Sequence, residues 1–356
     1  MAVEFHTLTV ASVEPITDSS VAVRFDIPDE LVETFTHEAG QHVIVKATID
    51  GESVRRSYSI CSPSGSTELT VGVKHLDGGV FSTYANSVLA AGDTVEVTAP
   101  TGDFTIATRP EHESHYIAIV AGSGITPVLS MISSVLAFEP ESRFTLIYGN
   151  RDGRSVMFLD ELDALKSRYP ERFVIFHILS RESQAIDLFE GRIDEEKLIR
   201  LFSTVVDAAT ATDWYLCGPS GMVRAAQSVL TAGGVPEGNI HDELFFAGDD
   251  ASFVPAADDA FGSEVKFTLN GRTSTVIVDP AGAPILDHAL AVRPDAPFSC
   301  RSGACASCRA RVTVGEVVMD RNWSLNQEEV DAGQVLTCQA HPISEVVELT
   351  YDLWAG

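Results

Sequence analysis

Four cysteines near the end of the chain carry the plainest chemistry. Cys300, Cys305, Cys308 and Cys338 follow the spacing C-x4-C-x2-C-x29-C. Four thiolates can hold a [2Fe–2S] cluster or a structural zinc. Zinc sites usually pair their ligands as two C-x2-C knuckles or recruit histidine, and only Cys305 and Cys308 form a knuckle here. Ser302, Gly303, Ala304, Ala306 and Ser307 are small, so backbone N–H groups can approach the sulfurs. Spacing favours two irons over one zinc, with inert buried thiols as the bland alternative.

A second constellation is "VAGSGITP", an apolar run broken by glycines and followed by a helical pattern. Gly122 and Gly124 allow a pyrophosphate to approach the backbone, and the helix after them offers unpaired N–H groups. Thr126 and Pro127 open that helix; Pro127 stands where a third glycine is usual and suits a first turn. Alone, this is equally a bare strand–turn–helix junction. The next apolar run ends at Arg151 with no acid, and the one after it ends at Ser180-Arg181. Cations there suit a nucleotide 2′-phosphate, so NADPH is the expected donor; solvated loop ends are the competing reading.

These groups need elements to position them. Residues 1–107 alternate apolar and polar in short runs between Gly, Pro and Asp breakers, with one helix at "VFSTYANSVL". This pattern predicts an antiparallel β-barrel. Residues 108–246 alternate strand-length apolar runs with helical segments, which predicts an α/β domain with a parallel sheet. Residues 247–262 are rich in Ala, Asp and Gly and read as a linker. In 263–356, two alternating runs flank Asn270-Gly271, a hairpin signal, and "PILDHALAV" follows as a short helix before the cysteines. An α+β β-grasp fold suits that order.

Three further segments, "RRSYSICS", "YLCGP" and "HDELFF", combine with "GSGITP" to resemble the ferredoxin–NADP reductase superfamily, extended by a plant-type [2Fe–2S] ferredoxin domain. The resemblance spans nearly the whole chain. It implies that Arg56, Tyr58 and Ser59 hold a flavin, FAD rather than FMN, with its phosphate at Gly78, Gly79 and Ser82. It implies that Cys217, Gly218 and Pro219 close a nicotinamide pocket, with Glu243 and Phe245 near the flavin. Ser59, Cys217 and Glu243 are the expected shapers of hydride transfer. Cys61, His75, His241 and His288 are read as structural.

The domain order is that of reductases serving multicomponent oxygenases. "YGNR", "SVMF", "GRID" and "NWSLNQEEVDAGQVLTCQAHP" resemble the reductase subunits of phenylacetyl-CoA epoxidase complexes, and reductases of steroid ring hydroxylases share much of the pattern. The expected partner is therefore an oxygenase. A zinc- and nucleotide-binding protein without enzymatic activity is the alternative from another class. The 24 Lys and Arg against 51 Asp and Glu leave a formal charge of −27. That argues against nucleic-acid or anionic-membrane partners. The N-terminus lacks the pattern of a signal peptide, and clustered cysteines then point to a reducing cytoplasm. Arg301, Arg309 and Arg311 flank the cysteine loop and are candidates for docking the oxygenase or offsetting cluster charge.

Overall fold

The computed structural model describes residues 4–246, 262–298, 301, 303 and 306–352, with Phe245 and Phe246 described in backbone alone. Packing divides the chain into two units, Phe5–Phe245 and the segment from Phe246 onward joined by Met1–Glu4. The 247–262 linker expected from composition falls almost wholly outside the described residues.

The first part of the larger unit is antiparallel. Its strands are β1 (Phe5–Thr17), β2 (Ser20–Asp26), β3 (His42–Ile49), β4 (Glu52–Ser59), β5 (Leu69–Lys74) and β6 (Thr94–Thr98), with helices α1 (Val32–Phe35) and α2 (Val80–Ser87). They form one sheet in the order β4-β3-β6-β1-β2-β5. Alternate residues such as Val21, Val23 and Phe25 turn inward onto a core with Leu8, Val43, Val97 and Phe81. The sheet curls until its two edges meet: Ile60, just past β4, bridges Val71 of β5, and Cys61 N–H donates to Thr70 O.

The pattern then switches to strand and helix in turn. The elements are β7 (His115–Ala121), α3 (Ile125–Phe138), β8 (Arg143–Asn150), α4 (Leu159–Arg168), β9 (Phe173–Leu179), α5 (Glu195–Thr204), β10 (Asp213–Pro219), α6 (Ser220–Ala232) and β11 (Ile240–Phe246). The sheet order is β11-β10-β7-β8-β9, and β10, β7, β8 and β9 pair in parallel. Ile117, Ala118, Ile119 and Val120 are all fully buried, as expected for a parallel strand covered on both faces. This sheet packs on the curled one at a tight seam. A Cβ on Gly72 of β5 would lie 2.7 Å from Thr126 Cγ2 and 3.0 Å from the Phe158 ring.

The smaller unit holds β12 (Ser263–Leu269), β13 (Arg272–Val278), α7 (Ile285–Val292), β14 (Arg309–Val314), β15 (Val317–Met319), α8 (Gln327–Asp331), β16 (Gln334–Leu336), β17 (Ala340–Pro342) and β18 (Val346–Thr350). One sheet runs β13-β12-β18-β14-β16, with β12 and β18 parallel, and α7 buries Ile285, Leu286 and Ala289 against its core. Asn270 and Gly271 both take positive φ in the β12–β13 turn, the geometry of a type I′ hairpin. The Asp352 carboxylate accepts both of their N–H groups, at 2.7 and 2.8 Å. No helix among the described residues is long and apolar enough to cross a membrane.

Candidate functional site

β4 carries Arg56, Tyr58 and Ser59 to the rim of the curled sheet. Tyr58 packs its ring 5.4 Å from that of Phe81, and burial raises its phenol well above the ordinary value. Arg56 Nη1 donates to Arg55 O. Ser59 is buried, and its hydroxyl donates to Glu243 Oε2 at 3.3 Å. Burial pushes the Glu243 carboxyl up to about 8; the Ser59 hydrogen bond opposes that and the neighbouring Asp242 charge adds to it. At neutral pH Glu243 is thus a carboxylic acid, able to donate a hydrogen bond.

The turn before α2 contains Gly78, with φ +74°, and Gly79, where a Cβ would lie 2.5 Å from Ser82 Oγ. Ser82 Oγ is engaged inside this turn, accepting from Leu76 N–H and donating to Gly79 O. What faces outward is the turn backbone and the first N–H groups of α2, a fitting cradle for an anionic phosphate.

β7 ends at Ala121, and Gly122 turns the chain at φ +56°. Gly124 has no room for a side chain: a Cβ would sit 2.2 Å from Cys217 O at the end of β10. This contact brings "GSGITP" and "YLCGP" together. Gly218 is also close-packed, since its Cβ would lie 2.7 Å from Met222 Cε and 3.2 Å from Ala121 N. Pro219 precedes α6 as its N-cap residue. Burial raises the Cys217 thiol well above its ordinary value, and Glu243 and Asp242 add to that, so it stays neutral. Thr126 Oγ1 donates to Ser123 O and, with Pro127, is buried; both shape the turn from inside.

Arg151, Ser180 and Arg181 meet at the ends of β8 and β9. Ser180 donates through N–H and Oγ to Asn150 O, and Arg181 N–H donates to Arg151 O. The sequence pattern gave no reason to single out Lys74, the last residue of β5. Its Nζ lies 3.2 Å from where a Gly122 Cβ would be, and burial and the Arg151 charge lower its pKa. A lysine whose charged form is disfavoured by burial and by a nearby arginine, beside a glycine turn, favours an anion at that turn. His241 stacks on Tyr215 and reaches Asp213 at 3.2 Å, in line with a structural role. Phe245's side chain lies outside the described residues.

In the smaller unit, Cys300 and Cys305 lie outside the described residues. Cys308 and Cys338 are buried. Thr337 ties their segments together: its N–H and Oγ1 both donate to Cys308 O, and Tyr351 OH donates to Thr337 Oγ1. Gln339 Nε2 donates to Cys338 O and Arg301 O and stands 3.9 Å from Cys338 Sγ. Arg301, Gly303 and Ala306 take positive φ, which turns the loop sharply between ligand positions. Two buried thiols, the Gln339 amide beside one of them and positive φ at the three described positions fit a [2Fe–2S] cluster. Arg301 pairs with Asp287 and Arg309 with Glu329, both at 2.7 Å. Two of the three arginines expected to dock a partner are therefore engaged within their own unit.

Comparison with known proteins matches three families along the chain. An oxidoreductase FAD-binding domain matches residues 7–106, an oxidoreductase NAD-binding domain 118–228, and a 2Fe-2S iron-sulfur cluster binding domain 267–342. The chain is 40% identical over 348 residues to a subunit of the 1,2-phenylacetyl-CoA epoxidase of Escherichia coli, covering 98% of each. It is 34% identical to the ferredoxin reductase component of 3-ketosteroid-9-alpha-monooxygenase from Mycobacterium tuberculosis, covering 97% of this chain and 95% of that one. Among solved structures, phthalate dioxygenase reductase, titled a modular structure for electron transfer from pyridine nucleotides to [2Fe–2S], aligns with a TM-score of 0.64 at 25% identity and covers 97% and 98% of the two chains. Flavin domain, nicotinamide domain and cluster domain thus occur here in the same order and over the same length, and the chain belongs to the ferredoxin-reductase-type oxidoreductases that serve as electron-transfer components of oxygenases.

Proposed function

We propose that this protein takes a hydride from NADPH and delivers its two electrons singly to the oxygenase of a phenylacetyl-CoA epoxidase complex. The observation that carries this reading is the 40% identity to an epoxidase subunit from end to end. Bound FAD supplies the one step the cluster cannot perform, since it accepts electrons as a pair and gives them up one at a time. The chain's own residues bind and align. Tyr58 offers a ring face and Ser59 a hydroxyl beside Glu243, and Gly124 lets the nucleotide turn close on Cys217. Hydride transfer needs this alignment more than proton abstraction, which suits a Cys217 kept neutral by burial.

NADPH, rather than NADH, is supported by Arg151, Ser180 and Arg181 meeting at the neighbouring ends of β8 and β9, with the charge of Arg151 acting on Lys74. A 2′-phosphate adds charge that such cations bind well. The test is reconstitution with epoxidase oxygenase subunits and phenylacetyl-CoA. Substrate-dependent NADPH oxidation is expected, with NADH much poorer. Turnover with a steroid hydroxylase oxygenase and none with the epoxidase would move the assignment to the second reading, which the 34% relatives support. Colourless protein would defeat both.

A further inference from the structure

α3 carries three buried hydroxyl residues, Thr126, Ser130 and Ser134, and its other buried residues are apolar. The three are four residues apart and share one face, over about 12 Å of helix axis. That face lies against the closure of the curled sheet. The Thr126 methyl meets Gly72 of β5. One turn on, Ser130 Oγ donates to Ser62 O at 2.6 Å. One turn further, Ser134 Oγ accepts from Ser64 N–H at 2.9 Å and donates to Ser130 O at 2.7 Å. A buried helical serine commonly returns its hydroxyl to the carbonyl one turn back. Ser134 does so, but Ser130 reaches across to another element. The loop they hold, just past β4, is fixed on its other side as well. Thr70 N–H donates to Ser62 Oγ, Ser64 Oγ donates to His37 O, and His37 Nε2 lies 3.3 Å from Ser62 O.

We propose that Ser130 and Ser134 are positioning residues for hydride transfer, which set the register of α3 along the loop that follows β4. The proposal rests on the hydride-transfer reading above. α3 begins at the Gly122–Gly124 turn, and the loop begins where Ser59 ends β4. The two serines therefore join the element that would carry the nucleotide to the element that would carry the flavin. Apolar contact alone is non-directional, so a helix held only by it can slide along its neighbour at little cost. A hydrogen bond is directional and weakens within a few tenths of an ångström. Both bonds end on backbone atoms, Ser62 O and Ser64 N–H, so they fix main chain to helix. Both serines are fully buried, so water does not compete for these bonds. A misplacement of about 1 Å between reacting groups costs on the order of 100-fold in rate, so a register fixed at two points has value for this reaction.

The test is anaerobic stopped-flow reduction of the oxidised holoprotein over a range of NADPH concentrations. It separates the nucleotide dissociation constant from the limiting rate of flavin bleaching. In Ser130→Ala the limiting rate should fall about ten-fold, while the dissociation constant moves by less than about two-fold. The long-wavelength charge-transfer absorbance of nicotinamide against flavin should weaken in parallel. Ser142→Ala is the matched control. Ser142 is equally buried, in the turn before β8, and its Oγ accepts from Ser114 N–H at 2.9 Å and donates to His112 O at 3.0 Å. Its loss should lower the melting temperature and leave the limiting rate and the charge-transfer band alone. An equal fall of the rate in Ser142→Ala would mean general loosening and overturns the proposal. So does an unchanged limiting rate in Ser130→Ala, or a loss carried wholly by the dissociation constant. If Ser130→Ala loses its flavin, Ser134→Ala is judged by the same criteria, since it removes the acceptor of Ser64 N–H and keeps the Ser62 bond. Failure of NADPH to bleach the wild-type flavin would count against the function itself rather than this register.

Discussion

Single residues set the ionisation of the candidate site. Glu243 has a raised pKa in the folded protein, so the fold binds its proton more tightly than the unfolded chain does. Stability from this group is full below its ordinary 4.5 and is lost as pH rises toward about 8. His42 behaves oppositely. Its pKa falls from 6.5 to about 4, so stability is lost as pH drops through that window. In the flavin-free protein, Glu243→Gln should flatten the alkaline side of a melting-temperature profile and leave the acid side intact. An unchanged alkaline side would mean that Glu243 is solvated and ordinary. Lys74→Met should raise the Michaelis constant for the nucleotide about ten-fold, the scale of one lost charge-assisted contact, while kcat moves by less than about two-fold. Steady-state kinetics with NADPH check this.

Elements decide how those residues meet. The seam between the curled sheet and the parallel sheet runs through Gly72, Thr126 and Phe158, and Phe158 itself takes a left-handed φ of +59°. Gly72→Ala should cost about 1–3 kcal/mol by overpacking, read as a lower denaturation midpoint. It should also raise the Michaelis constant for the nucleotide, because Thr126 opens the helix behind the phosphate turn. This seam was not legible in the sequence. Alternation shows that β5 is a strand, not which sheet will press on Gly72. Lys74 stayed hidden for the same reason, since its neighbours Gly122 and Arg151 come from the other sheet. The "NG" hairpin was legible because a type I′ turn needs positive φ locally. The cysteine spacing was legible because ligand geometry constrains a short stretch of chain. Asp352, which clasps the hairpin from 81 and 82 residues away, had no local signature.

At the scale of the whole molecule, the two units carry separable parts of one electron path. Cys338→Ser should remove the cluster's visible absorbance while NADPH still bleaches the flavin; cytochrome c reduction should then fall to background. Retained cytochrome c reduction would mean that electrons leave from the flavin directly. The curled sheet has a further consequence. Its edges are β4 and β5, closed on one another by a short bridge at Ile60 and Val71. One edge bears Tyr58 and Ser59 and the other bears Lys74, so the ligands proposed for these residues would sit beside the closure. A ligand that binds only the closed form stabilises it by mass action. Without one, two unpaired strand edges become templates for pairing with other chains. Cells making this protein under riboflavin starvation should therefore yield strand-paired aggregates rather than merely inactive reductase, and supplying riboflavin during synthesis should raise soluble yield before any activity is measured.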